Sequence, residues 1–226
     1  MLNSLSHEQI ATITLWYLVQ HSLSSFQKLQ QHFGTSTKAV AASNLQIWPN
    51  LGLHKSHLQR VVEIQTPAGQ TKLQTLLHDV QASCDFILLD SESHYPSQLL
   101  PYADRPPILF GQGNPQSLLQ AQVAIVGSRK PSPHGKQVAY DFAYYLAEKG
   151  FYICSGLAEG IDAAAHQGGL KYQRTIAVMG TGLDLTYPSQ HQALRTQILE
   201  NNGCIITEFL PHTPTLQHNF PRRNRR

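Results

Sequence analysis

Cysteine is scarce in this chain: Cys84, Cys154 and Cys204 are odd in number and far apart, and two of them sit inside apolar runs. That usage argues against a disulfide framework and fits a reduced, cytoplasmic protein. No apolar stretch approaches the ~20 residues of a membrane helix, and no basic region with a long apolar core opens the sequence. Neither membrane spanning nor export is expected. Charge is also modest, a formal net +3, although four of the last five residues are arginines. So uneven a distribution permits an anionic partner without requiring one.

Signatures of several enzyme classes are missing as well. Gly135-Lys136 is followed by Gln137, with no glycine five residues earlier, so there is no Walker-type phosphate loop. In Gly180-Thr-Gly-Leu-Asp-Leu185 two glycines of the dinucleotide fingerprint follow an apolar run, but Leu185 stands where the third is needed for close helix packing. Twelve histidines contain no His-Glu-x-x-His, and Ser155 has no Gly-x-Ser-x-Gly elbow. Asp162 and His166 share a helical face without a third ligand at a characteristic spacing, so they read as structural. No catalytic residue, metal site or cofactor is expected.

Alternation is what the sequence does have. Val123-Ala-Ile-Val-Gly-Ser-Arg129, the run from Phe151 to Asp162, and Thr175 to Gly182 are apolar stretches that each end in small residues, with helix-like spacing between them. Such βαβαβ patterning predicts a parallel sheet covered on both faces, joined by right-handed crossovers. The strand carboxyl ends then bring Gly127-Ser-Arg129, Ser155-Gly156-Leu157 and Gly180-Thr-Gly182 to one edge, where ligands usually bind. Glycines let a phosphate approach backbone N–H groups, and Arg129 adds a planar fork. The same glycines also serve as plain turns, and spacing leaves both readings open.

Ahead of this unit, short helices are expected from Ser6, over Ser25 to Phe33 and over Ser36 to Ala42, then a tight turn at Asn50 to Lys55 and a helix carrying Leu58, Val61 and Ile64. A helix–turn–helix of this size either packs or grips a nucleic-acid backbone. A linker is expected near Thr66 to Gly69, dividing a helical domain (1–66) from an α/β domain (70–226). Phe86 to Asp90, Pro107 to Phe110 and Cys204 to Glu208 read as further strands, and Phe220-Pro221 with Asn224 makes a folded, anion-facing loop of the arginine-rich end.

Tyr95-Pro96, Pro107-Ile-Leu109, Val126-Gly-Ser-Arg129, Ser155-Gly-Leu-Ala158, Gly160-Ile-Asp162, Ala165-His166, Gly182-Leu-Asp184, Tyr187-Pro188 and Phe220-Pro-x-Arg-Asn-Arg225 together resemble the DNA-processing protein A family (DprA, or Smf) over roughly residues 84 to 226. The resemblance implies an extended Rossmann-like domain, incomplete at the C-terminus, after a small all-helical sterile-alpha-motif-like or helix-hairpin-helix-like domain. It implies a non-enzymatic protein of natural transformation that binds single-stranded DNA, dimerises and loads RecA. By motif, the phosphate pocket is Gly127, Ser128, Arg129, Gly156, Leu157, Ala158, Gly160, Gly180, Thr181, Gly182, Arg223, Asn224 and Arg225. Two departures stand out. Glu159 replaces a common arginine beside that pocket, which predicts weaker binding, and Arg226 stands where relatives continue into a second half-sheet. The alternative is a nucleotide-binding enzyme, whose general base would be Glu159, Asp162 or Glu208.

Overall fold

A computed structural model describes residues 4–224. The N-terminal helices are α1 (His7–Leu18), α2 (Leu23–Phe33), α3 (Ser36–Val40), α4 (Ala42–Leu45), α5 (Lys55–Ile64) and α6 (Pro67–Ser83). Ser6 and Gln9 form a reciprocal capping box on α1, while Ser22 and Thr66 cap α2 and α6 through their hydroxyls. Thr66 to Gly69, expected as a linker, is instead a tight corner between α5 and α6. A Cβ at Gly69 would stand 1.9 Å from the Glu63 carbonyl, so only glycine lets the two helices meet so closely.

Strands β1 (Phe86–Leu89), β2 (Ile108–Gly113), β3 (Gln122–Ala124), β4 (Tyr152–Ser155), β5 (Thr175–Val178) and β6 (Cys204–Thr207) form one sheet in the order β1-β2-β6-β5-β4-β3. From β3 to β6 neighbours are parallel, with Val123 opposite Ile153 and Ile176 opposite Cys204. The parallel sheet is extended by two antiparallel pairings, Phe110 opposite Thr207 and Phe86 opposite Gly111. The mixed α/β class expected from the alternation, and the Rossmann-like sheet implied by the resemblance, are observed.

Crossovers α7 (Pro133–Glu148), α8 (Ile161–Leu170) and α9 (Gln192–Glu200) correct one expectation. Each parallel strand is placed one step further along the sheet than its predecessor, so right-handed connections put all three helices on the same face. There α8 and α9 join the N-terminal helices in one core in which Trp16, Leu73 and Leu77 cluster with Phe110, Ala163, Ala177, Ile198 and Ile205, while α7 packs through Ala143 and Ala147 on Ile153 and Ala165. No crossover helix covers the opposite face. A loop-rich passage does so, burying Tyr95 and Leu118 against Leu109, Ile176 and Ile206. Tyr95 is fixed there by a 2.7 Å hydrogen bond from its hydroxyl to the Pro106 carbonyl.

The first apolar run is also less buried than its composition suggests. β3 is a three-residue edge strand, and Val126 beyond it is 66% exposed. On α7, Phe142 is exposed beside it, and Tyr145 is exposed as well. A run of β-branched residues reads as buried only when strands flank it on both sides, and β3 has one neighbour.

All three cysteines are free thiols. Burial pushes Cys84 and Cys204 up to about 12 and Cys154 up to about 11, so none has thiolate character near neutral pH. No helix among the described residues is long and apolar enough to cross a membrane. No cluster of three His, Cys, Asp or Glu suited to a metal occurs among them either.

Candidate nucleic-acid interface

Three turns meet at the carboxyl ends of the parallel strands, and they differ in what their backbone can offer. After β3, residues Gly127, Ser128 and Arg129 are exposed. This loop is held at its base: Ser155 Oγ donates to the Ile125 carbonyl at 2.6 Å, and Ile161 N donates to the Ser128 carbonyl at 3.1 Å. Ser128 Oγ accepts from Lys130 N at 3.0 Å. Gly160 adopts φ +80°, and a Cβ there would stand 2.3 Å from the Ser128 carbonyl, which explains a glycine before α8.

After β4 the turn is sealed. Gly156 N donates to Asp162 Oδ2 at 3.0 Å and Leu157 N donates to His166 Nε2 at 3.2 Å, so the helical pair Asp162 and His166 occupies two amides expected to face a phosphate. His166 Nδ1 lies 2.7 Å from Thr175 Oγ1, whose own proton goes to the Ile153 carbonyl. That arrangement puts the His166 proton on Nδ1. Burial first, and then His191 and Arg223, depress His166 to about 3, so the ring stays a neutral acceptor. Leu157 is fully buried in the left-handed region at φ 58°, while Ala158 remains half-buried.

The third turn, Gly180 to Gly182, is buried beneath the C-terminal segment. Thr207 Oγ1 lies within hydrogen-bonding distance of the Thr181 carbonyl, and Gly182 N donates to Thr213 O. A short helix, α10 (Asn219–Arg223), lies across this edge. Asn219 Nδ2 donates to the Gly180 carbonyl at 3.1 Å, and Arg223 Nη1 donates to the Val178 carbonyl at 2.9 Å. The Arg223 guanidinium fills the space above Gly156, where a Cβ would stand 1.5 Å from Nη1. Burial lowers the Arg223 pKa, an effect that Asp162 opposes and Arg129 reinforces.

Arg129 and Arg223 therefore converge. Their guanidinium carbons lie 5.3 and 5.8 Å from the centroid of the same Phe220 ring. Tyr187 packs against that ring at 5.6 Å and is 40% exposed. Arg129, Tyr187, Thr215, Gln217, Phe220, Pro221 and Asn224 line an open cleft of about 540 Å³. Of the expected pocket, the structure exposes Gly127, Ser128, Arg129 and Asn224, and buries Leu157, Gly180, Thr181, Gly182 and Arg223. Gly156, Ala158 and Gly160 fall between, and Arg225 lies outside the described residues. The two rings were missed as site residues. Their signal was present in Tyr187-Pro188 and Phe220-Pro221, aromatic residues next to prolines in segments that the topology brings together.

The carboxylates proposed as a general base have other work. Asp162 holds Gly156, and Glu208, 4% exposed, forms an ion pair with Arg222 at 2.6 Å. Only Glu159 is exposed.

Fold and site define a Rossmann-like α/β protein with a cleft of cationic and aromatic groups at its strand carboxyl ends. The chain belongs to the DNA recombination-mediator protein A family, whose model matches residues 86–226. Protein Smf of Escherichia coli is 38% identical over 183 residues, covering 76% of this chain and 49% of that protein. DNA processing protein DprA of Streptococcus pneumoniae is 39% identical over 151 residues, covering 66% and 52%. The chain thus spans about half the length of these curated relatives. The X-ray structure of S. pneumoniae DprA superposes with a TM-score of 0.77 at 27% identity, covering 98% of this chain and 74% of that one. A Helicobacter pylori DprA structure, described for its single-stranded DNA binding mode, matches 57% of this chain and 60% of its own at a TM-score of 0.54 and 32% identity.

Proposed function

We propose that this chain binds single-stranded DNA in the cleft between Arg129 and α10, as a cytoplasmic, non-enzymatic protein of DNA uptake and recombination. The observation that carries this reading is the cluster of Arg129 with the Tyr187 and Phe220 rings, set in an open groove. A guanidinium for phosphate and ring faces for unstacked bases make up a single-strand site with little sequence preference. The relative from H. pylori, whose structure is described for that binding mode, supports the same assignment. Protection of incoming strands, dimerisation and delivery of the strand to RecA belong to this reading.

Phosphate contact in this cleft comes from side chains and from the open turn at 127–129, with the Gly156 and Leu157 amides serving to support it. The enzymatic alternative loses two of its three bases, because Asp162 and Glu208 are already engaged. The test is fluorescence anisotropy of a labelled oligothymidylate with duplex and mononucleotide competitors at several salt concentrations. Single strand is expected to compete best, with affinity falling as salt rises. Equal competition by a mononucleotide would overturn the reading.

A further inference from the structure

The arginine-rich end does not act as one basic tail. Arg222 and Arg223 are consecutive in α10, and consecutive helical residues point about 100° apart. Arg223 reaches into the sheet, whereas Arg222 reaches the other way, into the N-terminal helices. Its Nη1 donates to the His21 carbonyl at 2.7 Å and its Nη2 pairs with Glu208 Oε2 at 2.6 Å. The guanidinium carbon lies 5.3 Å from the Trp16 ring centroid and 5.4 Å from that of Phe209. The receiving site is itself braced: Trp16 Nε1 donates to the Glu208 carbonyl at 2.8 Å, and Leu210 N donates to His21 Nε2 at 3.2 Å. Arg222 does not line the cleft.

We propose that Arg222, latched to Glu208, His21 and Trp16, is a positioning residue through which the N-terminal helices set the affinity of the cleft. The inference rests on the cleft being the single-strand site. Five residues are far too few for a helix to hold its own shape, so the placement of Phe220, Arg223 and Asn224 depends on what anchors α10. Asn219 and Arg223 tie it to the strand carboxyl edge, and Arg222 supplies the tie to the N-terminal helices, through the His21 carbonyl just beyond α1 and the Trp16 ring on it. Releasing that tie lets α10 tilt, which misplaces the Phe220 ring and Asn224, the groups of α10 and its C-cap that line the cleft.

Coupling is reciprocal, so a strand bound in the cleft must also help to reseat a loosened α10. The chain has two tryptophans, and in a W48F background Trp16 reports on the latch. The experiment compares the parent with R222Q, E208Q, the double variant and R129A, reading oligothymidylate affinity against salt and Trp16 emission with and without the strand. R222Q is expected to weaken binding by about fivefold or more with an unchanged salt slope, because no phosphate contact is lost. E208Q is expected to act alike, the double variant to be no worse than either single one, and Trp16 emission to respond to the strand in R222Q but not in the parent.

A salt slope smaller by about 0.7 in R222Q would overturn the inference in favour of direct phosphate contact. Full affinity in R222Q alongside weakened R129A would overturn the latch while leaving the cleft standing. Unchanged binding in R129A would remove the cleft reading itself, and the latch with it. Should R222Q fail to melt cooperatively, R222K, which keeps the charge without the fork, must bind with intermediate affinity at a native-like melting temperature.

Discussion

The turn after β3 and the turn after β4 look alike in sequence, each an apolar run ending in a glycine and small residues. In the fold they are opposites. Gly127 to Arg129 stays exposed, whereas Gly156 and Leu157 give their amides to Asp162 and His166 on the following helix. The difference shows that a glycine-rich turn offers its backbone to a ligand only when the helix after it brings no acceptor back to the turn. One turn is an open wall of the cleft, and the other is the floor that holds Arg223.

Filling the floor should have the largest effect. Gly156→Ala puts a Cβ where the Arg223 guanidinium lies, and overpacking of this kind costs up to ~3 kcal/mol, measurable by denaturant or thermal unfolding. Binding should fall along with stability, which separates the floor from the wall.

Acid should break the seal next. His166 is held to about 3 in the fold, against about 6.5 when unfolded. Between those values the unfolded chain binds the extra proton, so stability is intact above pH 6.5 and falls as pH drops below it. By pH 5 the loss from this group should reach about 2 kcal/mol, and His21, depressed by burial to about 3, adds in the same direction. His166→Gln, which keeps a neutral acceptor, should flatten that part of the pH–stability profile.

On the open side, Arg129→Ala should leave melting unchanged and weaken oligothymidylate binding by about tenfold, with the salt slope reduced by about 0.7. The smallest effect concerns Glu159, exposed close to the wall. Glu159→Gln should raise affinity by less than about fivefold, and only at low salt, because exposed charges are well screened. Anisotropy titrations at two salt concentrations check both.

The βαβαβ core was legible because period and turn chemistry are local properties of the chain, and so was the placing of the Arg129 turn at the strand carboxyl edge, which follows from strand direction; that Arg223 would meet it there came from the resemblance in Phe220-Pro-x-Arg-Asn-Arg225. The structural role of Asp162 and His166 was legible from their helical spacing, but not that the amides they take are those of Gly156 and Leu157, six and nine residues earlier. Other features depended on partners distant in sequence: nothing in Arg222-Arg223 separates the residue that braces the N-terminal helices from the one that braces the sheet. The exposure of Val126 and the tight corner at Gly69 were hidden for the same reason, since both are set by what lies beside the segment in space.

Amide hydrogen exchange of the full chain, with and without saturating oligothymidylate, tests the account most directly. New protection is expected in residues 127–130 and 215–224, with the Gly156 and Leu157 amides, already bonded inside the protein, unchanged. Protection confined to the helix–turn–helix around residues 50–64, with the cleft segments silent, would contradict it.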